Sequence, residues 1–377
     1  MVLFLRDLGW SVTFIAQNNR ADARYVHNLE QLGVTTYCGF GKETQRLFAS
    51  AQNDSDCGLD LAMFAFWYLA EEQMPLLREV SPQTRIIVES IDLHFVRNAR
   101  RILQGDFGGE PGKLDANYAQ EMMRELNVYS EADAVLTVSS KEAELINDLT
   151  GNPSLTFVVP DSEDLESSPV PFEERKGILF VGNFRHPPNV DAVGYLCHKV
   201  LPLVDPQLLA EHPLYIVGNG LPDKVRAYAE GLANVKVVGW VHSLKPYFER
   251  LKISVIPLLY GAGTKRKLLQ SIMTGTPTVS TPIGVEGVGL THGRHALVAE
   301  DPRSFARSME ELLTDRQLWE KIAVEGRRWI VPRHGRAAAR EKLKSALDAI
   351  FSKPPLLQST ATGLIDNGQW TMDNVDA

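Results

Sequence analysis

Gly261-Ala262-Gly263-Thr264-Lys265-Arg266-Lys267-Leu268-Leu269-Gln270 holds the strongest chemical signal in the chain. It follows an apolar strand-like run, Ile253–Leu259, and passes straight into helical periodicity. Glycine lets backbone approach a ligand closely, and a helix opening on such a loop aims unpaired N–H groups and a positive dipole end at it. Three cations in the first turn add to that field. The chemistry suited to this place is the holding of a diphosphate. Lys265 and Lys267 are candidates to neutralise it, and a solvated charged turn is the plainer alternative. The Gly-x4-Gly-Lys-Ser/Thr spacing of a P-loop is absent. Leu268, Leu269 and Ile272 share one side of the helix, while Lys267 and Gln270, three apart, share the other. The turn Gly275-Thr276-Pro277 and the strand Thr278–Thr281 complete a βαβ unit, followed by Gly284-Val285-Glu286-Gly287.

The string from Gly261 to Gly287 resembles the donor-binding region of the group 1 (family four) glycosyltransferases, retaining enzymes of the GT-B fold. The likeness extends to Phe180-Val181-Gly182-Asn183, to Val238-Gly239-Trp240-Val241, and in the first half to Ala132-Asp133-Ala134-Val135-Leu136-Thr137-Val138-Ser139. It implies a nucleoside-diphosphate sugar as donor, with no metal and no cofactor. By the same resemblance the base lies by Trp240-Val241, the ribose near Gln270 and the diphosphate over Gly263-Thr264. The sugar then lies toward Gly261-Ala262, and Gly182 and Asn183 stand among the donor-binding residues, on a loop that lines the same cleft. Arg185 is a second cation candidate, with an ordinary surface role as its alternative. His94, in Glu89-Ser90-Ile91-Asp92-Leu93-His94, matches a histidine that hydrogen-bonds the sugar at its reacting end; a loop histidine beside a helix start is the duller option, and Asp92 could serve as an N-cap. Glu286 is the remaining carboxylate for the donor pocket, with helix capping as its alternative. Two positions depart from the wider family, which usually carries glutamate at both Ala262 and Gln270. They keep a second hypothesis open: a GT-B scaffold that binds nucleotide or a partner protein without transfer.

The elements that must position these residues alternate along the chain. Strands are expected at Ser11–Ala16, Val34–Tyr37, Leu59–Phe66, Arg85–Glu89, Ala134–Val138 and Thr156–Val159, separated by helices such as Asp22–Leu32, Glu71–Val80 and Ser139–Leu149. A second series runs Ile178–Gly182, Leu214–Gly218, Val235–Gly239, Ile253–Leu259 and Thr278–Thr281, closed by helices at Pro302–Thr314 and Gln317–Trp329. Such alternation predicts parallel sheets covered on both faces. The expectation is α/β: two Rossmann-like doubly wound domains facing across a cleft, at 1–160 and 175–335. A linker at 161–174, a helix at 336–352 crossing back onto the first domain, and a mobile tail at 353–377 complete it. The first domain reads as lacking its opening strand and glycine loop, because Met1–Leu8 already has the character of the helix that follows them. That strand is central in a doubly wound sheet, so its neighbours would lack a pairing partner.

Composition narrows the rest. A chain of 377 residues accommodates two domains, and 44% hydrophobic content is globular. Net charge −8 argues against a nucleic-acid partner. Three scattered cysteines, Cys38, Cys57 and Cys197, fit reduced thiols in a cytoplasm. No apolar run approaches the ~20 residues that span a bilayer, and no signal peptide is read at the start. Cytoplasmic location follows as an expectation, with peripheral contact at the inner membrane surface open through the basic clusters Arg97–Arg101 and Arg327–Arg340. The acceptor is expected to be a glycan or a lipid-linked sugar. Asp54-Ser55-Asp56 has the form of a metal-holding Asp-x-Asp, but its polar surroundings favour a solvated turn. The nine histidines show no metal-ligand spacing.

Overall fold

The structure is a computed structural model, in which residues 1–16, 23–39, 44, 59–163 and 170–356 are described. The first domain contains α1 (Val2–Asp7), β1 (Thr13–Ala16), α2 (Ala23–Gln31), β2 (Thr35–Cys38), β3 (Leu61–Ala65), α3 (Trp67–Val80), β4 (Arg85–Glu89), α4 (His94–Gln104), α5 (Ala116–Glu131), β5 (Ala134–Thr137), α6 (Ser140–Thr150) and β6 (Thr156–Val158). All its ladders are parallel. They form two separate sheets, β1-β2 and β3-β4-β5-β6. Among the described residues no ladder joins β1 to β3. Phe4 and Leu5 of α1 are buried in a cluster with Ile87, Leu136 and the half-buried Leu61 and Met63.

The second domain contains β7 (Ile178–Val181), α7 (Pro187–Tyr195), α8 (Pro206–Glu211), β8 (Leu214–Val217), α9 (Asp223–Ala229), β9 (Val235–Gly239), α10 (Lys245–Arg250), β10 (Ile253–Ile256), α11 (Arg266–Met273), β11 (Thr278–Ser280), α12 (Pro282–Val285), β12 (Leu297–Val298), α13 (Pro302–Thr314) and α14 (Arg316–His334). Its six strands run in the order β12-β11-β10-β7-β8-β9. The sheet's inner strands are apolar because helices cover both faces; Ile178, Phe180, Ile253 and Val255 are fully buried. Leu268, Leu269 and Ile272 seat α11 on that core, at 0%, 0% and 3% exposure.

Helix α15 (Arg336–Phe351) packs Ala339, Leu343, Ala346, Leu347 and Ile350 against the first domain, beside Ala134 and Val159. The loop after α4 also crosses over. Its Phe107 lies so close to Gly194 of α7 that a Cβ there would be 2.5 Å from the ring. Helix α14 continues to His334, five residues past the expected end, and contains Pro332 in its last turn. Among the described residues no helix is long and apolar enough to cross a membrane. The Asp54-Ser55-Asp56 segment, Cys57 and the tail beyond 356 lie outside the described residues.

Candidate functional site

Strand order reverses between β7 and β10, so the loops leaving those strands flank a crevice at their carboxyl ends, where open α/β sheets place ligands. The first loop begins at Gly182 and leads into α7. The second carries Gly261–Thr264 into α11. Between them stands Lys267. Its Nζ donates to Asn189 Oδ1 at 2.5 Å and lies 4.8 Å from the Phe180 ring centroid. Burial, aided by the nearby charge of Lys265, pushes the Lys267 ammonium down to about 7. Lys265 is buried at the N-terminus of α11, where its Nζ staples the loop through the carbonyls of Ala262 (3.2 Å) and Gly263 (2.5 Å). Burial pushes it down to about 8.

The glycines have different tasks. A Cβ on Gly261 would make ordinary contact with Lys265 at 3.7 Å and Ile283 at 4.0 Å, but its φ of +151° favours glycine. A Cβ on Gly263 would lie 2.8 Å from the Ile91 carbonyl and 3.0 Å from Asp92 Cβ, both of the first domain. Its N–H donates at 2.9 Å to Glu142 Oε1, from the first turn of α6. Thr264 Oγ1 donates to Asp161 at 2.5 Å. The two groups expected to meet the diphosphate are therefore engaged with the first domain and the linker. Burial raises the Glu142 carboxyl to about 7, despite the Gly263 and Ser139 hydrogen bonds that favour its charged form.

Glu286 is likewise occupied. Arg100 of α4 holds both its oxygens, at 2.6 and 2.8 Å, and Lys141 Nζ reaches Oε1 at 2.5 Å. Burial would raise this carboxyl, but the two cations outweigh it and hold it at about 2. Arg100 Nη1 also donates to the Gly261 carbonyl at 2.6 Å. Glu286 acts here as an interdomain anchor. Gln270 shares the half-buried side of α11 with Lys267, and its Nε2 donates to Glu163 Oε1 at 3.2 Å. Arg266 pairs with the same carboxylate at 2.7 Å. A linker glutamate thus stands beside position 270.

His94 begins α4 at the cleft end of β4. The orphan N–H groups of His94 and Phe95 are capped by the two oxygens of buried Glu125, each at 2.9 Å. Asp92 is not the cap. Its carboxylate pairs with Arg97 and lies 3.4 Å from His94 Nε2. Burial opposes its ionisation, but the His94 and Arg97 contacts prevail and hold it below the usual range. Trp67 Nε1 donates to His94 Nδ1 at 3.2 Å, which assigns the ring proton to Nε2, facing Asp92. Arg185 is exposed, its stem packed over Gly220. Asn183 is exposed and its carbonyl accepts from Asn189 Nδ2 at 2.8 Å, which braces the Lys267 partner. Trp240 is 67% exposed on the loop after edge strand β9, with half-buried Val241 beside it. The Gly182 carbonyl packs against Gly218, where a Cβ would lie 1.7 Å from it, and a Cβ on Gly182 itself would press on Asn189 Cβ at 3.1 Å.

Asn189, Glu142, Arg100 and Glu163 were not foreseen, because each reaches its partner only through the tertiary fold. A cavity of about 550 Å³ lined by Phe172, Arg175 and Trp319 sits at the carboxyl end of α11, away from this cleft.

Residues 175–315 match the family described as "Glycosyl transferases group 1". An uncharacterized 44.6 kDa protein in the cps region of Klebsiella pneumoniae is 30% identical over 179 residues, 41% of this chain and 45% of that protein. The match spans somewhat under half the length of that relative. Among solved structures, Anabaena HepE in complex with UDP and glucose has a TM-score of 0.66 at 14% identity, over 90% of this chain and 99% of HepE. Sucrose-phosphate synthase from Thermosynechococcus elongatus gives 0.66 at 15% identity, over 91% and 99%. The chain has the two-domain, Rossmann-like GT-B fold.

Proposed function

We propose that this protein is a metal-independent, retaining glycosyltransferase of the hexosyl type, which moves a sugar from a nucleoside-diphosphate sugar to an acceptor hydroxyl. The observation that carries this reading is Lys267. Its ammonium is buried at the switch point with only neutral partners, and among the described residues no carboxylate pairs with it. A buried cation without a counter-ion is costly, and a bound diphosphate relieves that cost. Lys267 and the N-terminus of α11 stabilise the departing diphosphate, work done elsewhere by a metal ion. The bond from the anomeric carbon to the leaving oxygen loosens first. The acceptor oxygen enters on the same face, and its proton passes to the leaving phosphate. His94, with Nε2–H turned to Asp92, stands on the first-domain side of that reaction. The solved relatives that hold UDP make UDP the first nucleotide to test, and the relative from the cps region supports a place in polysaccharide assembly. The enzyme works in the cytoplasm without a cofactor, at the inner membrane surface if its glycan acceptor is lipid-linked.

A thermal-shift panel of UDP, GDP, ADP and dTDP tests the donor class, since selective stabilisation reports binding to the native state. Lys267→Ala is expected to weaken the nucleoside diphosphate at least tenfold more than the nucleoside. Equal losses for both remove Lys267 from the phosphate site.

A second reading rests on Ala262 and Gln270, which stand where the resembled family usually carries glutamates, and on the capture of Gln270 by Glu163. On this reading the protein binds nucleotide, or a partner protein, without transferring a sugar. Slow hydrolysis of UDP-glucose without acceptor supports the enzyme; tight UDP binding with no turnover supports the scaffold.

A further inference from the structure

Phe66, Trp67 and Tyr68 leave the cleft end of β3 in an unusual conformation. Phe66 has φ +78° and ψ 142°, a region that glycine ordinarily occupies, and it is fixed there by its N–H bond to the Glu89 carbonyl at 2.9 Å. At the end of neighbouring strand β4, the β-branched Ile91 has φ +59°. Strain of this kind persists where surrounding structure imposes it, and it concentrates at binding sites. Here it has a visible result. Trp67 turns inward to grip His94, while Phe66 and Tyr68 lie nearly parallel, 12° apart with centroids at 5.4 Å. Both rings stand 5.8–5.9 Å from the His94 ring. Phe66 is half-buried and Tyr68 is 43% exposed. The Tyr68 hydroxyl has no hydrogen-bond partner among the described residues.

We infer that Phe66 and Tyr68 form the platform on which a pyranose ring of the acceptor stacks, so that the acceptor is a sugar and not a simple alcohol or an alkyl chain. The inference rests on the glycosyltransferase reading. An aromatic face carries partial negative charge, which suits the polarised C–H bonds on one face of a pyranose. Purely apolar rings would suit an alkyl chain equally well. The polar neighbours decide between them: the Tyr68 hydroxyl is free to bond a sugar hydroxyl, and His94 beside both rings links them to the charged pair Asp92–Arg97. The platform adjoins the glycine loop through His94 and Asp92, since Asp92 lies 3.4 Å from His94 and a Cβ on Gly263 would be 3.0 Å from Asp92 Cβ.

Saturation-transfer NMR on the full chain with saturating UDP tests this, using methyl glucopyranoside, galactopyranoside and mannopyranoside, with glycerol and hexanol as controls. At least one pyranoside is expected to receive saturation on the protons of one face, more strongly than either control. Tyr68→Ala and Phe66→Gly should each reduce that signal at least fivefold and leave UDP affinity within twofold, while Tyr68→Phe keeps most of it. Phe66→Gly removes the ring but suits the local φ, so an unchanged or higher melting temperature separates loss of the platform from unfolding. Pyranoside signals no stronger than glycerol, a preference for hexanol, or signals indifferent to both variants would overturn the platform. Loss of UDP binding in Tyr68→Ala would assign the rings to the nucleotide and overturn it as well. A wild-type chain that binds none of the four nucleoside diphosphates is a separate outcome, in which the glycosyltransferase reading itself fails.

Discussion

Arg100 and Glu286 meet across the interdomain cleft as a two-pronged ion pair, at 2.6 and 2.8 Å, 186 residues apart in the chain. Arg100 brings the Gly261 carbonyl into the same contact, so one guanidinium fixes both the glycine loop and the residue after α12 to the first domain. Arg100→Ala should cost about 1–3 kcal/mol at pH 7, because a largely buried carboxylate is left with Lys141 alone. The Glu286 carboxyl is depressed to about 2 in the folded protein, so its contribution is present above pH 4.5 and is lost as pH falls toward 2. Urea titrations of both proteins between pH 7 and pH 2.5 should converge at the acid end. A constant gap down to pH 2.5 would show that the pair is not the source.

If a nucleoside diphosphate binds at Lys267 as proposed, its binding should be coupled to protonation. The Lys267 ammonium sits at about 7 when free, and a bound diphosphate must raise it. At pH 8, binding of UDP should therefore take up a fraction of a proton, and affinity should fall as pH rises from 7 to 9. Calorimetry in buffers of different ionisation heat measures this uptake directly. In Lys267→Met the uptake should shrink to whatever Lys265 still supplies.

Glu142 makes stability fall with rising pH. Its carboxyl is raised from 4.5 to about 7, so the stability it contributes is complete below pH 4.5 and is lost as pH climbs through 7. Asp92 and Lys265 are the charges that act on it most closely. Glu142→Gln keeps an acceptor for the Gly263 N–H and abolishes the titration. The variant should match wild type near pH 5 and exceed it at pH 8 by about 1–3 kcal/mol, read as a higher melting temperature. Identical melting curves at pH 8 would contradict this.

Gln270→Glu should destabilise the protein. A glutamate there would place a second carboxylate about 3 Å from Glu163, with Arg266 alone to serve both. Two carboxylates at that distance do not both ionise freely, so the substitution should cost about 1 kcal/mol at pH 8 and less at pH 5. The double variant Gln270→Glu with Glu163→Gln should recover the loss. Failure of that recovery would show that the two side chains do not meet.

The elements whose residues speak to one another within a turn or along a strand are legible in the sequence. Leu268, Leu269 and Ile272 face the core as their spacing requires, and Arg85–Glu89 and Val235–Gly239 are strands with the expected bounds. Helix α3 starts at Trp67, four residues earlier than expected, because the chain turns at Phe66, where positive φ has no glycine to announce it. The glycine loop and the helix that follows it are legible in the sequence, but the engagement of that loop with the first domain is not. Glu142 reaches Gly263 over 121 residues, and Glu125 caps α4 from 31 residues away. Such pairs exist only after the sheets have packed, and neither hydrophobic periodicity nor local spacing encodes them.

The separation of β1-β2 from β3-β4-β5-β6 bears on how the molecule opens. Two parallel strands are too few to be stable alone, and Thr13, Phe14 and Thr35 of this ribbon are solvent-exposed. The ribbon should behave as a foldon of low protection, breathing many times for each global unfolding event. Its amides at Phe14, Ile15 and Tyr37 would then exchange with deuterium well before those of β4 and β5, while the cleft around His94 stays intact.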